Sequence, residues 1–182
     1  MTPEEFAVDF ADAFADSAFR LELLDTYVAA NELEPFRRFQ AHEPRDDAWR
    51  EPWKRLVRAA RQAGKRMERV HVVSEPLTDY MRFLLTWAYP ANVEAGEDVR
   101  VLPRRIAETL DLPGQDYWLL DARHVALMGY DDQGNWLSVD LIDEPYIVAS
   151  HVAGRDAALK RSIPLHAYLR ENPGKAATCH RT

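Results

Sequence analysis

One stretch, Lys65 to Arg105, limits what this chain can fold into more than any other. Met67–Ser74 first alternates and then runs apolar, the pattern of a strand buried on both faces. Ser74-Glu75-Pro76 reads as a helix start, and Leu77, Tyr80, Met81, Leu84, Leu85 and Ala88 then form a broad apolar stripe. Pro90 ends or kinks that helix, Gly96 closes the next turn, and Val99–Leu102 is a second strand. Strand-helix-strand connections are right-handed crossovers, so the two strands are parallel. An all-helical or purely antiparallel fold is thereby excluded.

The remaining segments are expected to build around that unit. Thr2-Pro3-Glu4-Glu5 has the spacing of a capping box, and Phe6, Phe10 and Phe14 follow on one helical face. Ala18–Tyr27 admits either strand or helix. Asn31 is placed to cap a short helix carrying Leu33, Phe36 and Phe39. Asp46–Ala63 predicts a longer helix with Trp49, Trp53, Leu56, Val57 and Ala60 on one face, stopped by Gly64. Asp116–Leu120, His124–Tyr130 and Asn135–Leu141 form an antiparallel meander, the second turn carrying Gly134. Asp143 is expected to cap a helix running to about Arg161, and another starts near Pro164. The expected fold is α/β (α+β), a mixed sheet of four to six strands made of one βαβ unit and an antiparallel meander. Helices lie at both termini and on both faces. Residues 1–62 are expected to be a helical extension or layer, 63–171 the mixed-sheet domain and 172–182 a disordered tail, together one compact unit.

Charge and cysteine usage narrow the function. Residues 1–50 carry 12 acidic and 5 basic side chains, whereas 51–70 carry 2 and 7. This alternation favours docking within the chain or to a partner protein, and argues against a general nucleic-acid binder. Lys54, Arg58, Arg61 and Lys65 form a basic helical stripe, read first as a solvated face. The one cysteine, Cys179, cannot form an internal disulfide and fits a reducing, cytoplasmic setting. No leader-like segment or membrane span is expected. Phosphate-loop, dinucleotide-binding, nucleophile-elbow and zinc-protease motifs are all absent, and the six histidines lack metal-ligand spacing. No cofactor or metal is expected.

The candidate site is the polar cluster at the two turns of the βαβ unit. It comprises Arg69, Glu75, Tyr80, Arg82, Asn92, Glu97 and Arg104. Arg82 and Arg104 suit bidentate recognition of an anion, with Tyr80 and Asn92 orienting it. In an enzymatic alternative on a phosphate-bearing or nucleotide-like substrate, Glu75 or Glu97 is the general base. The Glu75/Asp79 pair, i and i+4 on one helix face, is read first as helix N-terminal charge complementing the dipole.

The stretch RVHVVSEPLTDYMRFLLTWAYPANVEAGEDVRVLPR, followed by DYWLLDARHVALMGYDDQGNW, resembles an uncharacterised actinobacterial family, a domain of unknown function often encoded beside helix-turn-helix regulators. The resemblance implies a cytoplasmic accessory protein near transcriptional regulation. It also marks Asp121 among the recurrent polar positions. The order of elements is faintly similar to the phospholipase D-like scaffold, but its HxK pattern is absent, since His71 is followed by Val72 and Val73. The expected function is a non-enzymatic regulatory or ligand-binding protein. Its partners would be a helix-turn-helix regulator, a small anionic ligand or a second copy of the chain.

Overall fold

The computed structural model describes residues 1–173; the expected disordered tail, with Cys179 in it, lies almost wholly outside them. A mixed seven-stranded sheet organises the chain. Its strands are β1 (Ser17–Glu22), β2 (Arg66–Val73), β3 (Asp98–Pro103), β4 (Tyr117–Leu120), β5 (His124–Tyr130), β6 (Trp136–Ile142) and the short β7 (Ile163–Pro164), in the order β6-β5-β4-β1-β2-β3-β7. The parallel β2–β3 pair of the βαβ unit is present, with Arg69 opposite Val99, and so is the antiparallel meander of β4, β5 and β6.

Two corrections concern the sheet. The ambiguous segment 18–27 supplies its middle strand: β1 pairs parallel with β2 and antiparallel with β4. Residues 1–62 are therefore not a separable helical layer, and β1 with β7 raises the strand count above the expected four to six. The physical reason is visible in β1. Phe19 and Leu21 point to one face while Ala18, Arg20 and Glu22 point to the other, and all five are buried. Two charged residues inside a buried strand obscure its apolar pattern.

One face of the sheet, bearing Phe19, Leu21, Val70, Val72, Tyr117 and Leu119, packs into a continuous apolar layer. Helix α7 (Pro145–Arg161) contributes Val148 and Ala158 to it, and the short α6 (Arg104–Ala107) adds Ala107. The opposite face carries two apolar clusters instead of one. In the first, Phe6 and Phe10, from α1 (Pro3–Asp9) and the tight turn after it, pack with Phe14, Val57, Met67 and Trp118. Each fully buried side chain of this size stabilises the fold by about 1.5–3 kcal/mol. Thr2 and Glu5 complete the capping box of α1. In the second cluster, α2 (Leu33–Gln40), α4 (Asp79–Phe83) and α8 (Leu165–Glu171) pack over Val73, Val99 and Val101.

The helices also depart from expectation in detail. Helix α3 starts later than expected, at Glu51, and ends at Gln62 after a single 3₁₀ turn over Ala48–Arg50. The α4 helix starts from Thr78, whose hydroxyl accepts from the Met81 amide. Ser74 is taken instead by Asp25, which accepts from both its amide and its hydroxyl. Pro90 does not end the helix. A π-helical segment, Leu84–Ala88, precedes α5 (Tyr89–Ala95), so the widened turn accommodates a residue that lacks an N–H.

Candidate functional site

Between the two apolar clusters on this second face of the sheet lies a band of buried charge. The parallel register sets Arg20 beside Arg69 and Glu22 beside His71, so four polar side chains of β1 and β2 emerge together on one face. All four are at most 8% exposed. Arg69 Nη1 donates to Glu22 at 2.7 Å, and its Nε donates to Glu97, also at 2.7 Å. Glu97 accepts in addition from Trp53 Nε1. Arg20 donates through Nη2 to Asp116 at 3.1 Å and to the Tyr130 hydroxyl at 2.8 Å. Both guanidinium groups lie over the Trp118 ring. His71 spans the Leu24 carbonyl and the Tyr89 hydroxyl, and Tyr89 in turn donates to Glu22.

A strap from Asp25 to Glu32 crosses above this band. Its Tyr27 hydroxyl donates to Asp116 at 2.5 Å, and its Glu32 accepts from the Tyr80 hydroxyl, also at 2.5 Å, and from Arg50 at 3.5 Å. The strap is fixed to the β5–β6 turn, where the Val28 amide donates to the Gly134 carbonyl. Gly134 has φ +85°, and a Cβ there would meet the Thr26 carbonyl oxygen at 2.8 Å. Only glycine permits this approach. Beneath the strap opens a cleft of about 640 Å³, floored by Arg20, Glu22 and Arg69 and walled by Tyr27, Trp53, Tyr80, Trp118, Tyr130 and Trp136.

Burial and charge pull these groups in opposite directions. Burial alone would raise the Glu22 carboxyl, but Arg69, with His71 and Arg20 beside it, holds it well below the usual carboxylate range. Glu32 and Asp116 are shifted upward, because burial outweighs the help of Arg50 and Arg20 respectively. Burial also lowers Arg50. Tyr80 is raised by burial and then by Glu32. One polar atom of the floor is left over: Arg20 Nη1 is buried and has no hydrogen-bond partner.

The sequence-derived candidates divide into two groups. Arg69, Tyr80, Asn92 and Glu97 belong to the network, Asn92 by accepting from Arg50 at 2.8 Å. Glu75, Arg82 and Arg104 do not converge with them. Glu75 is exposed. Arg82 pairs with its helix neighbour Asp79 at 2.9 Å. Arg104 ties strand ends together, donating to Ser74 and to the Leu23 carbonyl. The expected anion clamp of Arg82 and Arg104 is thus not assembled. Glu97, proposed as a base, is committed to Arg69 and Trp53. Three members of the basic stripe are paired, Lys54 and Arg58 with Glu51 and Lys65 with the Phe14 carbonyl, while Arg61 lies on the exposed face. Asp121, at φ +52°, accepts from the amides of Ala15, Asp16 and Ser17, a structural role.

Sequence reasoning missed Arg20, Glu22, Tyr27, Glu32, Arg50, Tyr89, Asp116 and Tyr130. One signal was present: charges at alternate positions of a strand, Arg20 and Glu22 on β1, whose partners on β2 are Arg69 and His71.

Comparison with known proteins bears on the whole architecture. A family profile described as a domain of unknown function, DUF6879, matches residues 4–170. The chain belongs to this family. No curated protein matches it. Among solved structures, the DUF6879 chain is similar to a phospholipase D family member, Nuc from Salmonella typhimurium. The TM-score is 0.54 at 8% identity, covering 88% of this chain and 89% of that one. At that identity the likeness concerns the fold alone. Among the described residues no group of three His, Cys, Asp or Glu side chains is placed to hold a metal. No described helix is long and apolar enough to cross a membrane.

Proposed function

We propose that this chain is a non-enzymatic, cytoplasmic ligand-binding protein whose cleft receives a small molecule. The observation that supports this reading is the aromatic-walled cleft over the buried floor of Arg20, Glu22 and Arg69. The cleft has the size of small-molecule sites and joins aromatic walls to convergent charged groups. The small anionic ligand expected from the sequence is one member of this class, with Arg20 in place of Arg82 and Arg104.

The test is a thermal-shift screen of the full chain against a broad metabolite collection. A ligand at 100 times its dissociation constant stabilises the fold by about 2.7 kcal/mol. Wild-type protein that no compound stabilises would overturn the reading. A regulatory setting beside a helix-turn-helix regulator is the second part of the proposal, supported by the alternating charge of the chain. Co-purification with the neighbouring regulator, with and without a ligand found in the screen, decides it. No complex at micromolar concentration rejects that part.

A further inference from the structure

We infer that Tyr89 is a two-way hydrogen-bond relay through which the protonation state of His71 sets the donor available to Glu22, a pH-sensitive switch built in behind the cleft floor. Tyr89 has one hydroxyl hydrogen and two takers for it. Its oxygen lies 2.9 Å from Glu22 Oε2 and 2.5 Å from His71 Nδ1. The other ring nitrogen of His71, Nε2, faces the Leu24 carbonyl at 2.8 Å. A carbonyl only accepts, so Nε2 keeps its hydrogen and a change of protonation falls on Nδ1. With Nδ1 protonated, it donates to the Tyr89 oxygen while Tyr89 donates to Glu22, and every group is met. With Nδ1 bare, it takes the Tyr89 hydrogen over the shorter distance, and Glu22 Oε2 is left facing a hydroxyl oxygen.

The surroundings confine the change to His71. On β1, Glu22 pairs with Arg69 at 2.7 Å and is approached by Arg20 at 3.5 Å, which keeps it ionised. On α5, burial and then the charge of Glu22 hold the Tyr89 hydroxyl well above its ordinary value, so it keeps its hydrogen. From the strap, Tyr27 meets the imidazole edge-on at 5.9 Å between centroids. The β3 residue in register with His71 is the apolar Val101, and on β2 itself the charged neighbour on the same face is Arg69. Across the band, the three cations Arg20, Arg50 and Arg69 oppose the four carboxylates Glu22, Glu32, Glu97 and Asp116. A protonated His71 supplies the fourth cation and balances the band. His71 is fully buried, whereas Glu22 and Tyr89 line the cleft, so the floor changes while the titrating ring stays behind it. The relay stands without any ligand; its effect on one rests on the ligand-binding reading above.

Nuclear magnetic resonance of the full chain tests the inference, following the His71 ring nitrogens and the Glu22 carboxylate carbon from about pH 5 up to the alkaline limit of the folded state. His71 is expected to lose one proton to solvent, from Nδ1, and the Glu22 carbon to shift with the same midpoint. In Tyr89→Phe, His71 should still titrate, while the Glu22 shift falls by about half or more, leaving only the direct effect of the ring charge. A His71 ring that keeps one protonation state throughout overturns the switch, as does loss of the proton from Nε2. A Glu22 carbon that stays fixed, or that shifts equally in Tyr89→Phe, overturns the relay. Should Tyr89→Phe fail to fold, the hydroxyl-bearing ring carbon of Tyr89 in the wild type decides: it should shift at the His71 midpoint, and a fixed signal overturns the inference. None of these outcomes bears on the thermal-shift screen, which judges the ligand-binding reading separately.

Discussion

At the scale of single residues, Arg69 concentrates several interactions at one buried point. It is 7% exposed, pairs with both Glu22 and Glu97, and lies over Trp53, Tyr89 and Trp118. Arg69→Met should destabilise the protein by about 3–5 kcal/mol in urea unfolding, because two carboxylates are left buried without their cation. Asp121 makes a different prediction. Burial would raise its carboxyl, yet the amides of Ala15, Ser17 and Asp16 outweigh burial and hold it below its ordinary value. A depressed folded-state value stabilises above the unfolded value of about 3.9 and is lost as pH falls through the lower folded value. Asp121→Ala should therefore cost about 1–2 kcal/mol at pH 7. The gap from wild type should narrow steadily below about pH 4. A gap independent of pH between 7 and 2.5 would contradict this account.

Among the elements, the strap 25–32 is the one whose placement a single substitution can test. Gly134→Ala places a methyl carbon 2.8 Å from the Thr26 carbonyl in a left-handed backbone position. It should cost about 1–2 kcal/mol or more. Faster amide exchange should appear at Val28, whose bond to Gly134 would loosen, before it appears in β1 or β2. The strap also shows what the sequence could reveal. Met67–Ser74, Val99–Leu102 and the meander were legible because their period-2 patterns or apolar runs lie between clear turns. The strap and β1 were not. Arg20 and Glu22 break the apolar run of β1, and nothing local announces that Tyr27 and Glu32 reach over it. Their partners, Asp116 and Tyr80, are 89 and 48 residues away. Arg82 and Arg104 misled for the complementary reason: Arg82 is paired to Asp79 on its own helix, and Arg104 is spent on strand ends. The Asp79–Arg82 spacing of three residues on one helix was legible; the long-range partners of Arg104 were not.

For the whole molecule, the sheet has one face with a single continuous apolar cluster and one whose apolar clusters are divided by buried charge. Buried ion networks are weak contributors to stability compared with apolar packing of the same volume. A triple variant, Arg69→Met with Glu22→Gln and Glu97→Gln, should recover at least half of the stability lost by Arg69→Met alone in urea unfolding. Any ligand found for the cleft should lose binding in the same protein. If the triple variant is no more stable than the single one, unpaired buried charge is not what Arg69→Met costs. The position of β1 has a consequence for synthesis. Its two flanking strands come from residues 66–73 and 117–120. As the chain leaves the ribosome, β1 gains one neighbour early and must wait for some hundred residues to gain the other. Over that interval Phe19 and Leu21 lack Tyr117 and Leu119, and Arg20 lacks Asp116. Such late closure predicts slow acquisition of native structure, and nascent chains ending before residue 116 should stay protease-sensitive through residues 17–32.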